Sequence, residues 1–132
     1  MRIVRIDRDQ SAPPEHPDWF PGSARMQFMH VPDTPGGVEL IAVFFEAGAR
    51  TIPHVHAVDQ VLQVVEGEGV LATENERRII RAGDWVVVPG GIWHWHGATE
   101  SSSMCHISIK QPGDTDWTVD RKDFDTYMEG AR

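Results

Sequence analysis

From residue 24 to residue 110 the apolar residues come in short runs rich in Val, Ile and Phe, each closed by a turn signal. That punctuation limits the fold more than any other feature. The runs Ala24–Val31, Val38–Phe45, Ile52–Val55, Gln60–Glu66, Gly69–Thr73, Arg77–Arg81, Trp85–Val88, Trp93–Gly97 and Met104–Lys110 read as strands, with an earlier one at Arg2–Ile6. Pro35-Gly36-Gly37, Glu46-Ala47-Gly48, Glu74-Asn75-Glu76, Ala82-Gly83-Asp84 and Pro89-Gly90-Gly91 separate them. Short strands so spaced, with no strand–helix–strand rhythm, predict an all-β chain: an antiparallel barrel or sandwich. Only the tail "VDRKDFDTYMEG" reads as helical, with Phe124, Tyr127 and Met128 on one face and Asp120 or Asp123 as a cap.

At 132 residues the chain is expected to form one domain. Its parts are an N-terminal strand and arm (1–23), a barrel (24–110) and a tail with a short helix (111–132). The polar, Pro-rich arm ends in Trp19-Phe20, which is expected to dock on the body. The formal charge of −8 argues against a nucleic-acid footprint, which would need a basic stripe. No apolar run approaches the ~18 residues of a membrane span. Cys105 is the only cysteine, so no intramolecular disulfide can form. The N-terminus, "MRIVRIDRDQ", lacks an apolar segment of signal-peptide length. A cytoplasmic location is expected on these grounds.

"IPHVHAVDQ" and "GGIWHWHGA" each carry two histidines one residue apart. On a strand, residues i and i+2 share a face, so His54 and His56 point the same way, as do His94 and His96. One such pair is a weak sign of a metal site; a second makes the sign stronger. Asp59 and Gln60 follow the first pair and compete for a ligand position. Alternation puts Gln60 with Leu62 and Val64 on one face and Asp59 on the other. Gln60 would then ligate directly, or its amide would orient a histidine or a water. On the last strand His106, Ser108 and Lys110 alternate with Cys105, Ile107 and Ile109. The polar side faces either the cavity, where His106 could serve as general acid or base, or the solvent. His96 would orient a ligand or a water. Lys110 would hold an anion at the rim or extend to solvent. Trp93 and Trp95 fall on the opposite face and, with Val61 and Val65, are expected in the core or at a subunit contact. His16 and His30 read as structural or surface residues.

The spacing Gly48, His54, His56, Gln60, Gly67 and then Gly83, Pro89, Gly91, His94 resembles the two motifs of the cupin superfamily. Gln60 stands where the family usually has Glu, and Ala98 where it usually has Asn. The resemblance implies a jelly-roll barrel (double-stranded β-helix) with one divalent metal ion per chain, Mn, Fe, Ni or Zn, held by His54, His56, Gln60 and His94. It also implies a homodimer or homotetramer. "DWFPG", "GARTIPHVHAVDQ", "HWHGATESSSMCHISI" and a late "DW" resemble more narrowly the bacterial cupin hydroxynitrile lyases, which use a Mn- or Fe-type centre. That likeness implies a small-molecule substrate and a pocket with Thr51, His96 and His106. Lys110 and Ile41 depart from it on the substrate side. The function expected is therefore a metal-dependent lyase acting on a cyanohydrin. The alternatives are an Fe(II) and O₂ dioxygenase, or a non-catalytic metal- or sugar-binding cupin.

Overall fold

The computed structural model describes residues 1–126. Their strands are β1 (Ala24–His30), β2 (Glu39–Phe45), β3 (Val55–His56), β4 (Gln60–Thr73), β5 (Arg77–Arg81), β6 (Trp85–Val88), β7 (His94–Ala98), β8 (Met104–Lys110) and β9 (Thr115–Asp116). Every pairing is antiparallel. β4 is the spine. Its first half lies between β6 and β8, and its second half between β5 and β7. β8 continues through β2 to β1. The strands form the expected antiparallel barrel around one main core.

Two separate strands, Gln60–Glu66 and Gly69–Thr73, were expected where β4 runs unbroken. The register of β4 with β8 slips between Val64 and Glu66, and Gly67 takes a φ of 77°. A bulge beside a left-handed glycine bends a strand without ending it. A Cβ at Gly67 would also collide with the Ser103 carbonyl. One strand can therefore serve both sheets.

The segment before β3 extends the second sheet along β7. Thr51 N–H donates to the His96 carbonyl at 2.8 Å, and Ala98 N–H to the Ala49 carbonyl at 2.8 Å. His54 and His94 exchange backbone hydrogen bonds of 2.9 and 3.1 Å. This close approach needs Gly97, where a Cβ would strike the Ala49 carbonyl and the Arg50 backbone.

The main core packs Ile41, Val43, Phe45, Leu62, Val64, Leu71 and Met104 inside the barrel, with Phe20 of the arm inserted as expected. Trp93 and Trp95 belong to a second cluster with Val70, Ala72 and Phe124. They are 5% and 0% exposed, so they offer no subunit contact. The tail covers them. Trp93 Nε1 donates to the Asp120 carbonyl at 2.7 Å, and the Phe124 ring meets Trp95 edge-on at 5.5 Å.

Two expected elements differ. Arg2–Ile6 forms no strand. The side chain of Gln27 binds this segment instead, donating to the Arg5 carbonyl at 2.9 Å and accepting from Asp7 N–H at 2.8 Å. After β9 the tail forms turns, not a helix, as far as Thr126. Lys122 takes a φ of 48°, which interrupts a right-handed helix. Asp120 caps only a turn, accepting from Lys122 N–H at 2.8 Å, while the Asp123 carboxylate pairs with Arg77 at 2.7 Å. Tyr127 and Met128 lie outside the described residues. Gly97→Ala is expected to cost about 1–3 kcal/mol through overpacking. Urea unfolding midpoints measure it, and an unchanged midpoint would show that the approach of residues 49–51 is not tight.

Candidate metal centre

The backbone bridge between His54 and His94 sets their rings 4.4 Å apart, and His56 follows two residues on. The ligand-capable nitrogens of His54, His56 and His94 all lie within 4.8 Å of one another, and all three residues are buried. Each ring is oriented through Nδ1. His54 Nδ1–H donates to the Ile52 carbonyl at 2.8 Å, and His94 Nδ1–H to the Ile92 carbonyl at 2.9 Å. A proton on Nδ1 leaves the Nε2 lone pair free. His56 Nδ1 lies 2.9 Å from Thr115 Oγ1, and its Nε2 is buried with no hydrogen-bond partner.

Gln60 is buried and Asp59 is exposed. Asp59 accepts from Gly90 N–H at 3.0 Å, outside the cluster. The Gln60 amide donates to Ser108 Oγ at 2.9 Å and turns Oε1 to within 3.2 Å of His94 Nε2. With the His94 proton on Nδ1, two lone pairs face each other across this gap. Such a contact needs a proton or a cation between the atoms. Burial lowers the His94 pKa and so disfavours the proton. The donor set therefore fits a metal ion. Three buried histidines that could bind one are present, with a neutral amide oxygen beside them.

The remaining site residues line the same space. His106 is fully buried on the inner face of β8, and its Nε2 lies 2.9 Å from His96 Nδ1. Its outward neighbour Cys105 packs in a small cluster with Ala42 and Phe44 on the other side of the sheet. Both faces of β8 are thus covered, which is why alternation alone left the orientation of His106 open. Thr51 Oγ1 accepts from His96 N–H at 3.2 Å and holds that residue in register. Lys110 and Glu39 are directly opposite in the β2–β8 register and pair at 3.2 Å, so the Lys110 charge is balanced. The cavity has a volume of about 110 Å³. Ile41, Val43, Phe20 and Trp117 supply its apolar wall.

Burial is the leading cause of every histidine shift here. It holds His54 and His96 well below the ordinary range, with neighbouring imidazoles adding to the effect. His56 and His106 are each lowered to about 4. All are neutral at pH 7, as both metal ligation and base catalysis require. Sequence reasoning missed β9, Thr115 and the place of Trp117. The two Asp-Trp pairs hinted at the last of these. A lone Thr in a polar tail gives no signal.

Residues 42–110 match the Cupin_2 cupin domain model. The chain belongs to the cupin family. It is 35% identical to the (R)-mandelonitrile lyase of Granulicella tundricola over 121 residues, 89% of this chain and 92% of that one. It is 29% identical to oxalate oxidase 2 of Hordeum vulgare over 109 residues, which is 70% of this chain but 49% of the oxidase. Among solved structures, a cupin-like protein from Thermotoga maritima superposes with a TM-score of 0.76 at 30% identity, covering 86% of this chain and 90% of that one. The polyketide cyclase RemF of Streptomyces resistomycificus gives a TM-score of 0.74 over 99% of this cupin and all of the cyclase, at 14% identity, which speaks for the fold alone.

Two outcomes follow. His54→Ala should strip most bound metal from tag-free protein, read by elemental analysis; undiminished metal content would place the site elsewhere. In metal-free cupin, His106 titrates near 4 when folded, against the 6.5 of an unperturbed histidine. The unfolded chain then binds the extra proton, so stability is full above pH 6.5 and is lost as pH falls towards 4. Each such histidine contributes about 1.4 kcal/mol per pH unit within that window. His54, His56, His94 and His96 act in the same direction. Urea midpoints that stay level from pH 7 to pH 5 would show these histidines to be solvated.

Proposed function

We propose that this cupin is a metal-dependent lyase of the hydroxynitrile lyase type, acting on a small cyanohydrin. His54, His56, His94 and Gln60 are its metal ligands, and His106 with His96 moves the proton. The observation that carries the reading is the division of five buried histidines within one barrel: three gathered as ligands and two hydrogen-bonded to each other. The similarity to (R)-mandelonitrile lyase over nine-tenths of both chains supports it.

A divalent ion, Mn or Fe in this reading, would supply Lewis acidity towards a substrate oxygen, undiminished by ligand charge because all four ligands are neutral. The chain supplies the rest. His106 and His96 share one hydrogen bond, and each keeps one buried nitrogen without a partner, Nδ1 on His106 and Nε2 on His96. A proton taken up at one open nitrogen can be matched by a proton released at the other. In cyanohydrin cleavage the hydroxyl proton goes to this pair, the C–CN bond breaks as the carbonyl forms, and cyanide leaves with the electron pair. The pair then returns the proton, giving HCN. Thr51 lines the cavity and holds the backbone of His96. Lys110, balanced by Glu39, marks the rim. The apolar wall of Ile41, Val43 and Trp117 suits a small hydrophobic group and limits water.

The likeness to oxalate oxidases favours a second reading, an O₂-using cupin. A small-substrate screen with and without O₂ separates the two, since cleavage of a cyanohydrin needs none. Failure to cleave any cyanohydrin anaerobically would defeat the first reading. His106→Ala should lower turnover by about 10²–10⁴-fold with metal content unchanged. A loss below about tenfold, less than general base catalysis contributes, would remove His106 from the chemistry. In the wild type, activity should stay level down the histidine range and fall only as pH approaches the lowered His106 value of about 4, where the protonated ring can no longer accept a proton. Initial rates measured on protein checked for folding at each pH distinguish this from acid unfolding.

A further inference from the structure

The two Asp-Trp pairs of the sequence, Asp18-Trp19 and Asp116-Trp117, meet in space. Trp19 and Trp117 stack with centroids 4.6 Å apart and planes 7° from parallel. Trp117 also stacks on the ring of His54 at 4.3 Å and 28°. The exposed His16 closes the outer end of the column, 4.0 Å from Trp19. A tail segment therefore lies against the ring of one candidate metal ligand.

The same segment holds a second one. β9 pairs with β3 through only two residue pairs, Val55 with Asp116 and His56 with Thr115, and Ala57 N–H adds a bond to the Asp114 carbonyl at 3.0 Å. Thr115 Oγ1 is the group at His56 Nδ1. With that oxygen accepting from Nδ1–H, the Nε2 lone pair of His56 turns inward; with the proton on Nε2 instead, His56 could not ligate. Thr118 then tightens the turn after β9, donating through its N–H and its hydroxyl to Asp116 Oδ1 at 2.8 and 2.6 Å. This turn sets the direction of Trp117. His54 and His94 take their Nδ1 partners from carbonyls two residues earlier in their own segments. His56 alone depends on a distant part of the chain.

We propose that the strap from Gln111 to Asp120 is a working part of the metal centre, with Thr115 the positioning residue of His56 and Trp117 that of His54. Metal occupancy and docking of the strap then reinforce each other. The inference rests on the metal reading of the three histidines. Coupling of this kind is reciprocal: whatever the strap adds to metal affinity, the metal adds to strap docking.

The test titrates metal-stripped protein with Mn(II), and separately with Zn(II), by equilibrium dialysis. Thr115→Val keeps the shape and loses the oxygen, and is expected to weaken binding about 10–100-fold, the usual effect of removing a partner that orients a ligand. Thr115→Ser keeps the oxygen and should retain the wild-type affinity, which a merely structural role for the threonine would not predict. Trp117→Ala should weaken binding as well. In the wild type, saturating metal should slow tryptic cleavage at the exposed Arg121 and Lys122, just beyond the strap. Thr115→Val should need correspondingly more metal for the same protection. Equal metal affinity in wild type, Thr115→Val and Trp117→Ala would overturn the proposal, as would cleavage indifferent to metal. Wild-type protein that takes up neither ion would overturn the metal reading beneath it. If Trp117→Ala does not fold, the Thr115 pair decides the question.

Discussion

The reciprocal hydrogen bonds between His54 and His94 are the contact on which the site depends. They join a segment that is mostly not regular strand to the edge of β7, and they bring two imidazoles to 4.4 Å with their planes tilted by 55°. Neither His-x-His pair could do this alone, because residues two apart on one strand give a row of side chains and not an enclosure. The enclosure comes from two rows brought together, with Gly97 leaving room for the Arg50 backbone and the Thr51–His96 bond continuing the register. A bulkier residue at 97 would push the first row away from the second.

Concentrating five imidazoles in one barrel has an electrostatic consequence. If several were charged, they would repel one another at separations of about 5 Å, with little water to screen them. Burial settles the matter by keeping them neutral. Lys110, the formally charged residue of the cavity wall among those described, is balanced by Glu39 at 3.2 Å. The chain thus presents a site with almost no net charge, in which the 2+ charge of a bound divalent ion would be the dominant field.

Much of this was legible in the sequence, for particular reasons. Histidine spacing and turn glycines are local signals, so the ligand rows and most strands could be read directly. Gln60 could be told from Asp59 because strand alternation is also local. The misreadings concern what lies far off in the chain. Arg2–Ile6 has a strand-like composition but forms no strand, and composition cannot report whether a partner exists. The tail has helical spacing, yet Phe124 is drawn down onto Trp95 and Arg50 stacks over it at 3.6 Å, a tertiary demand that overrides propensity. The same contact buries the tryptophans that looked available for a subunit interface. Thr115 was invisible because its role is defined wholly by a histidine 59 positions earlier.

The layering of the barrel explains how His106 can be both buried and useful. In the β2–β8–β4 register, Glu39 and Lys110 form the rim, Ile41, Ser108 and Leu62 the next layer, and Val43, His106 and Val64 the one below, above Phe45 and Met104. His106 thus lies between two valines and against the Phe45 ring at 5.3 Å. That dry setting lowers its pKa to about 4, which keeps it neutral at any ordinary pH but makes it a weak base. Availability has been gained at the expense of strength. Its one polar partner restores some of that strength. If His96 Nδ1 accepts from His106 Nε2–H, a proton arriving at His106 Nδ1 creates a charge that the hydrogen bond stabilises, and charge-assisted bonds are roughly twice as strong as neutral ones. The gain appears only as the proton moves, when a catalytic interaction has to act. In the proposed reaction, His96 and His106 are therefore better regarded as one base than as two residues.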